Sequence, residues 1–150
     1  MAAPTTAMLT SFKVELFKAV HNFSNPGGHS FKAALYKAAA SVAGSHGAAD
    51  TNYSSMGSDE LAAGSGYTAG GAALTSVTPV ASSTAGVCDF NDVSWSSASF
   101  TTSGCMIYNT SASNAGCGNH SFGGDQSVSS GTFTIVWPTP DSSNAILRIT

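Results

Sequence analysis

Gly64-Ser65-Gly66-Tyr67-Thr68-Ala69 fits the loose G-x-G-x-x-A pattern of a dinucleotide loop. Such a loop must end a strand and open a helix, so that backbone N–H groups face a pyrophosphate. Here Asp59-Glu60-Leu61-Ala62-Ala63 precedes the run, and Gly70-Gly71 stands where the helix would begin. The run therefore reads as a turn between elements, and no cofactor is expected. His21, His29, His46 and His120 are scattered, with no H-x-H or H-E-x-x-H spacing, so no metal site is expected. Three of them adjoin Asn or Gly-rich turns and are expected to face solvent or a subunit contact. Asp89, Asp92 and Asp125 could serve as paired carboxylates for hydrolysis. Their settings, Asp89-Phe90-Asn91-Asp92 and Gly123-Gly124-Asp125-Gln126, are turn-like, and Asp and Asn in turns bind local backbone. There is no G-x-S-x-G elbow, and Asp50-Thr51-Asn52 lacks the glycine and distal glutamate of a calcium loop. No catalytic residue is assigned, and the chain is expected not to be an enzyme.

Cys88, Cys105 and Cys117 are spaced by 17 and 12 residues, which fits neither a zinc site nor a C-x-x-C redox pair. They read as buried small apolar residues; a disulfide between two of them stays open. Trp95, Trp137, Tyr108 and Phe122 could form a sugar-stacking platform. They are read instead as core or subunit-interface aromatics, with a glycan-binding module kept as the alternative from another class. Four N-x-[ST] sites, at Asn22, Asn52, Asn109 and Asn119, are a chance product of a chain rich in Ser and Thr.

The elements that must carry these residues belong to one domain's length, 150 residues. Charged residues are 9% of the chain, against roughly 25% in soluble domains. Hydrophobic residues are 42%, enough for a core. Small neutral polar groups repel like copies weakly and lose little entropy when covered, which suits a protein packed against neighbours. The charge is uneven. Lys13, Lys18, Lys32 and Lys37 face only Glu15 within residues 1–40, a net +3, while Arg148 faces seven carboxylates in the remainder, a net −6. Such asymmetry favours head-to-tail contact between copies, or docking of the basic end on an acidic partner. Without a Lys/Arg cluster, nucleic-acid binding is not expected. Met1–Leu9 lacks a basic, apolar leader, and no apolar run approaches the ~20 residues of a membrane span, so neither a secretory signal nor a membrane partner is expected.

Residues 1–9 read as a flexible arm and residues 10–150 as a single domain. Thr10 or Ser11 can cap a helix over about 11–24, in which Phe12, Leu16, Ala19, Val20 and Phe23 form a stripe that Val14 and Phe17 broaden. Asn25-Pro26-Gly27-Gly28 stops it. Residues 30–43 are open between helix, by alanine content, and a strand leaving a glycine turn. The Gly-, Ser- and Asp-rich segment 44–71, with Tyr53 and Tyr67, is long for a structureless loop, and reaching a neighbour is its expected role. From residue 72 the texture becomes β-like: Ala72–Val77, Gly86–Phe90, Ser99–Tyr108, Gly131–Trp137 and Ala145–Ile149, the last expected to be covered on both faces. Phe133, Ile135 and Trp137 alternate with Thr132, Thr134 and Val136 as in a half-buried strand. The predicted fold is mainly β, an antiparallel sandwich or barrel-like domain with one N-terminal helix. The residues predicted to make assembly contacts are Phe12, Leu16, Phe17, Lys13, Lys18, Tyr53 and Tyr67.

Several segments together resemble a family of small virion structural proteins of tailed bacteriophages and prophages. They are Phe31-Lys32-Ala33-Ala34-Leu35-Tyr36, Gly64–Gly71, Asp89-Phe90-Asn91-Asp92-Val93-Ser94-Trp95-Ser96, Ile107-Tyr108-Asn109, Phe122-Gly123-Gly124-Asp125, Gly131-Thr132-Phe133-Thr134-Ile135 and Asn144–Ile149. The resemblance spans most of residues 10–150 in order. It departs at Ala33-Ala34, where a β-branched residue would suit a strand, and at Cys117-Gly118, which replaces a more apolar stretch. It implies a strand at residues 31–36, which is adopted here over the helix, and a virion role. Within that role the expectation is a capsid decoration, or cement, protein that contacts its own copies and the major capsid protein, in particles assembled in the host bacterial cytoplasm. The alternative is a tail, neck or fibre-associated component.

Overall fold

In β2 (Phe31–Leu35) and the residue after it, successive side chains serve two different cores. Phe31, Ala33 and Leu35 join one apolar cluster, and Ala34 and Tyr36 join another on the opposite face. This is the period-2 alternation of a strand covered on both sides. The computed structural model describes residues 2–150. The fold is mainly β, with antiparallel sheets and a single α-helix at its N-terminal end.

The larger sheet has the order β1-β7-β6-β2-β3 and the smaller one β4-β5-β8. Their strands are β1 (Ala7–Met8), β2, β3 (Ala72–Leu74), β4 (Ser76–Ser82), β5 (Ala85–Phe90), β6 (Val93–Asn109), β7 (Ala115–Ile135) and β8 (Leu147–Ile149). β6 and β7 form a long hairpin. It turns through Thr110–Ala112 and through Ser113 and Asn114, whose φ of 52° and 61° are left-handed. Between the two sheets lie Phe31, Phe90, Trp95, Ile107, Cys117, Ile135 and Leu147, closed at one end by Leu9, Phe12 and Phe23. The far face of the larger sheet buries Met106 and Tyr108 under Val42 and Met56.

The strand reading of residues 31–36 holds over Phe31–Leu35; a 3-10 turn at Ala39–Ser41 follows. All five predicted β regions contain strand. Three run further than expected or divide: β6 begins at Val93, β7 at Ala115, and Ala72–Val77 splits into β3 and the start of β4. β8 is not covered on both faces: Leu147 is buried, while Arg148 on the opposite face and Ile149 at the strand end are exposed.

The helix α1 spans Thr10–Phe17, shorter than the predicted 11–24. Its N-cap is Leu9 and no side chain caps it. The chain leaves the helix at Lys18 and turns through Ala19 at φ 56°, so Val20 and Phe23 return as extended chain rather than as further turns. The return lets Phe23 stack on Phe31, with ring centroids 4.4 Å apart, and places His21 beside Glu15. Packing of two aromatic rings outweighs continuation of a helix whose last positions are β-branched or aromatic.

The predicted flexible arm and reaching loop are both docked. Ala7 and Met8 pair with Asn119 and Gly118, the Thr5 N–H bonds the His46 carbonyl, and Pro4 and Leu9 are buried. Segment 44–71 lies over the second face of the larger sheet, with a 3-10 helix at Tyr53–Asp59 carrying the buried Met56. An apolar sheet face needs a cover, and this segment supplies it.

Candidate assembly surface

Five titratable or polar groups join the docked segment to the sheet. His46 bonds Asp50 through Nδ1 at 3.2 Å and Asp59 through Nε2 at 3.0 Å. Asn119 donates to Asp50 at 2.6 Å and accepts from the Tyr36 hydroxyl at 2.8 Å. Burial alone would raise the Asp59 pKa; the amides of Ala43 and Gly44, together with His46, more than offset it and hold the carboxyl at about 2. Both flanking carboxylates and the imidazole are shielded, so the cluster is a lock on the segment rather than a reaction centre.

A second cluster has the members of a Cys–His–acid triad. Glu15 lies 2.8 Å from His21 Nε2, and Cys117 Sγ lies 4.0 Å from His21 Nδ1. Asn109 reaches both His21 and His29. A thiol nucleophile needs a lowered pKa and access. Burial, followed by the Glu15 charge, instead pushes the Cys117 thiol well up, and the His21 side chain is fully enclosed. Burial likewise raises Cys88 to about 11 and Cys105 to about 12. All three cysteines are free, with Cys105 and Cys117 buried. His21, His46 and His120 point into the protein, not outward as their sequence neighbours suggested: His120 Nε2 is sealed without a partner, and burial lowers its pKa to about 4.

The remaining sequence candidates disperse. Among the described residues no group of His, Cys, Asp and Glu could hold a metal. Asp92 accepts the Trp137 N–H and Asp125 accepts the Ala39 N–H, both local or tertiary backbone duties. Trp95, Trp137 and Tyr108 are buried and Phe122 is half-buried beside Phe133, so these four do not line up as an exposed sugar-stacking platform. The Gly64–Ala69 run is a tight turn in which Gly64 and Tyr67 bond each other, with no helix after it. Among the described residues no helix is long and apolar enough to cross a membrane.

The predicted assembly residues divide. Phe12 is buried and Leu16 packs against the core, so both anchor α1 instead of meeting a neighbour. Tyr67 is also buried; its hydroxyl donates to Glu60 at 2.7 Å and accepts the Leu35 N–H. Tyr53 donates to the same carboxylate at 2.5 Å and stacks on Tyr108 at 4.6 Å. Glu60 also accepts the Gly70 N–H at 2.6 Å. These tyrosines are spent on holding segment 44–71 down. The outer face of α1 is different. Phe17 is 95% exposed and Val14 49%, and the exposed Lys13 stands one turn from Phe17. Phe17, Lys13 and Leu16 face Ile149, Arg148 and Met8 across an open groove of about 790 Å³. Among the described residues neither Lys13 nor Lys18 makes an ion pair.

A second surface bears the opposite charge. Asp89, Asp92, Trp137, Pro138 and Pro140 line a cleft of about 380 Å³ where β5 turns into β6. One oxygen of each carboxylate is fixed by a backbone amide, Phe90 for Asp89 and Trp137 for Asp92. The turn-like sequence around these aspartates does not reveal the cleft, because its other wall arrives from residues 137–140.

Compared with protein-family models, curated proteins and solved structures, the chain matches none.

Proposed function

We propose that this chain is a non-catalytic structural component of a tailed-bacteriophage particle, in the first instance a capsid decoration protein that stabilises the head shell through subunit contacts. The observation that carries an assembly role is Phe17, nearly fully exposed beside Val14 and unpaired lysines on a helix whose other face is locked into the core. A large aromatic ring held in water on a rigid support costs solvation free energy that only a partner recovers. The clusters that could have done chemistry are closed and occupied by internal bonds, which supports the structural reading. The ordered segments that resemble phage virion proteins supply the particle context. Repetition around a shell lets many weak contacts of this kind act together.

The test is quantitative mass spectrometry of purified particles and of separated heads and tails. Hundreds of copies in the head fraction are expected. A few dozen or fewer, with the tail, would replace decoration by a tail or neck role, and absence from particles would remove the virion assignment.

A further inference from the structure

We infer that the Phe17 ridge of one copy docks in the Asp89–Asp92 cleft of a second copy, a head-to-tail contact that deepens the assembly role proposed above and rests on it. The two surfaces complement each other in kind. The ridge presents Phe17 and Val14 with Lys13 and Lys18 beside them, and these lysines have no acidic partner among the described residues. The cleft presents Pro138 and Pro140, seated over the buried Trp137, for an apolar side chain. Asp89 and Asp92 flank it, each with one oxygen fixed by a backbone amide and the other making no hydrogen bond among the described residues. The carboxylates are therefore held in place before a lysine arrives, which lowers the ordering cost of the contact. Arg148 is not part of the pairing, since its guanidinium is held by the Ser142 carbonyl.

The contact must be between copies. Leu9 and Phe12 fix α1 in the core, so the ridge of a chain cannot swing to its own cleft. Ridge and cleft are different patches, so the contact is heterologous; such contacts generate closed rings or open chains, never a closed two-fold dimer. One aromatic side chain and two charge pairs make a small interface, so a single contact is weak and salt-sensitive, and gains strength only by repetition.

Sedimentation velocity of the purified full chain over a range of concentrations reads this directly. Concentration-dependent association is expected at low salt and diminishes at high salt. Phe17→Ser, and separately Lys13→Glu with Lys18→Glu, should each weaken it by about tenfold or more. Asp89→Asn with Asp92→Asn keeps the oxygens that hold the Phe90 and Trp137 amides and removes the charges; it should weaken association to a similar degree. Mixing the Phe17→Ser variant with the double-Asn variant leaves one intact ridge and one intact cleft, so the mixture should stop at a dimer. Circular dichroism and thermal melting of each variant confirm folding; if the double-Asn variant melts early, Phe17→Ser decides alone. A wild-type chain that stays monomeric at every concentration, variants that associate like wild type, or a mixture that yields no dimer would each overturn the contact. Abundant copies in particles together with a monomeric isolated chain would leave the virion role standing, with another virion protein on the ridge. Association with absence from particles would do the reverse.

Discussion

The outer face of α1 and segment 44–71 carry similar promise in the sequence, with aromatic residues among small polar ones, yet the fold uses them in opposite ways. Segment 44–71 spends its aromatics inward. Tyr53, Tyr67 and the Gly70 amide converge on Glu60, His46 ties the segment through Asp50 and Asp59, and Met56 seals the second face of the larger sheet. α1 spends only one face. Phe12 fills the core while Phe17 and Val14, on the other side of a helix of eight residues, stay in water. A contiguous length of chain over an apolar sheet has nowhere else to put its side chains. A helix lying at the edge of two sheets always has a face to spare.

The largest effect should come from breaking the fit of the covering segment. A Cβ on Gly71 would run into the Ala33 carbonyl and the Ala34 Cα, and the residue has φ +75°, so Gly71→Ala should cost about 3–5 kcal/mol or prevent folding, measured by chemical denaturation. Glu60→Ala strands the Tyr67 hydroxyl and frees Tyr53 and Gly70; a loss of about 2–3 kcal/mol is expected, with faster amide exchange confined to residues 44–71.

Acid should act through groups in the interior, one in β7 and one in the covering segment. The folded His120 pKa, about 4, lies below its unfolded value, so the neutral ring is favoured on folding. Its contribution, up to about 3 kcal/mol, is complete above the unfolded pKa near 6.5 and is lost as pH falls from there to about 4. Asp59, depressed to about 2, adds stability above its unfolded value near 3.8 that is lost as pH falls through about 2. Thermal melts across this range should fall in two stages, and His120→Leu should flatten the upper one. The smallest effect on stability is expected at the exposed face: Phe17→Ser should change the unfolding free energy by no more than about 0.5 kcal/mol, leaving loss of association as its only large consequence.

Much of the fold was legible. Alternation at Phe133, Ile135 and Trp137 marked a strand that the structure buries on that face, and Asn25-Pro26-Gly27-Gly28 marked a real turn. The first half of β7 was not legible. Gly116-Cys117-Gly118-Asn119-His120 shows no alternation, and its small residues are there because Leu9 and the backbone of residues 7 and 51–52 press against them. Part of the site was legible too. Phe17, Lys13 and Lys18 were read as contact residues and are exposed, but Phe12 and Tyr67, of the same chemical kinds, are buried.

By itself the sequence determined a β-rich chain of low charge, with a basic N-terminal end and an acidic remainder, because composition, charge placement and short-range alternation are local properties. Only the tertiary structure decided which aromatics are anchors and which are offered, that the N-terminal residues and segment 44–71 are fastened down, and that Asp89 and Asp92 share a cleft with Trp137, Pro138 and Pro140. Those outcomes depend on which surfaces meet across tens of residues, as when Asn119 binds Asp50 or Asp92 holds the Trp137 amide, and no local pattern encodes such meetings.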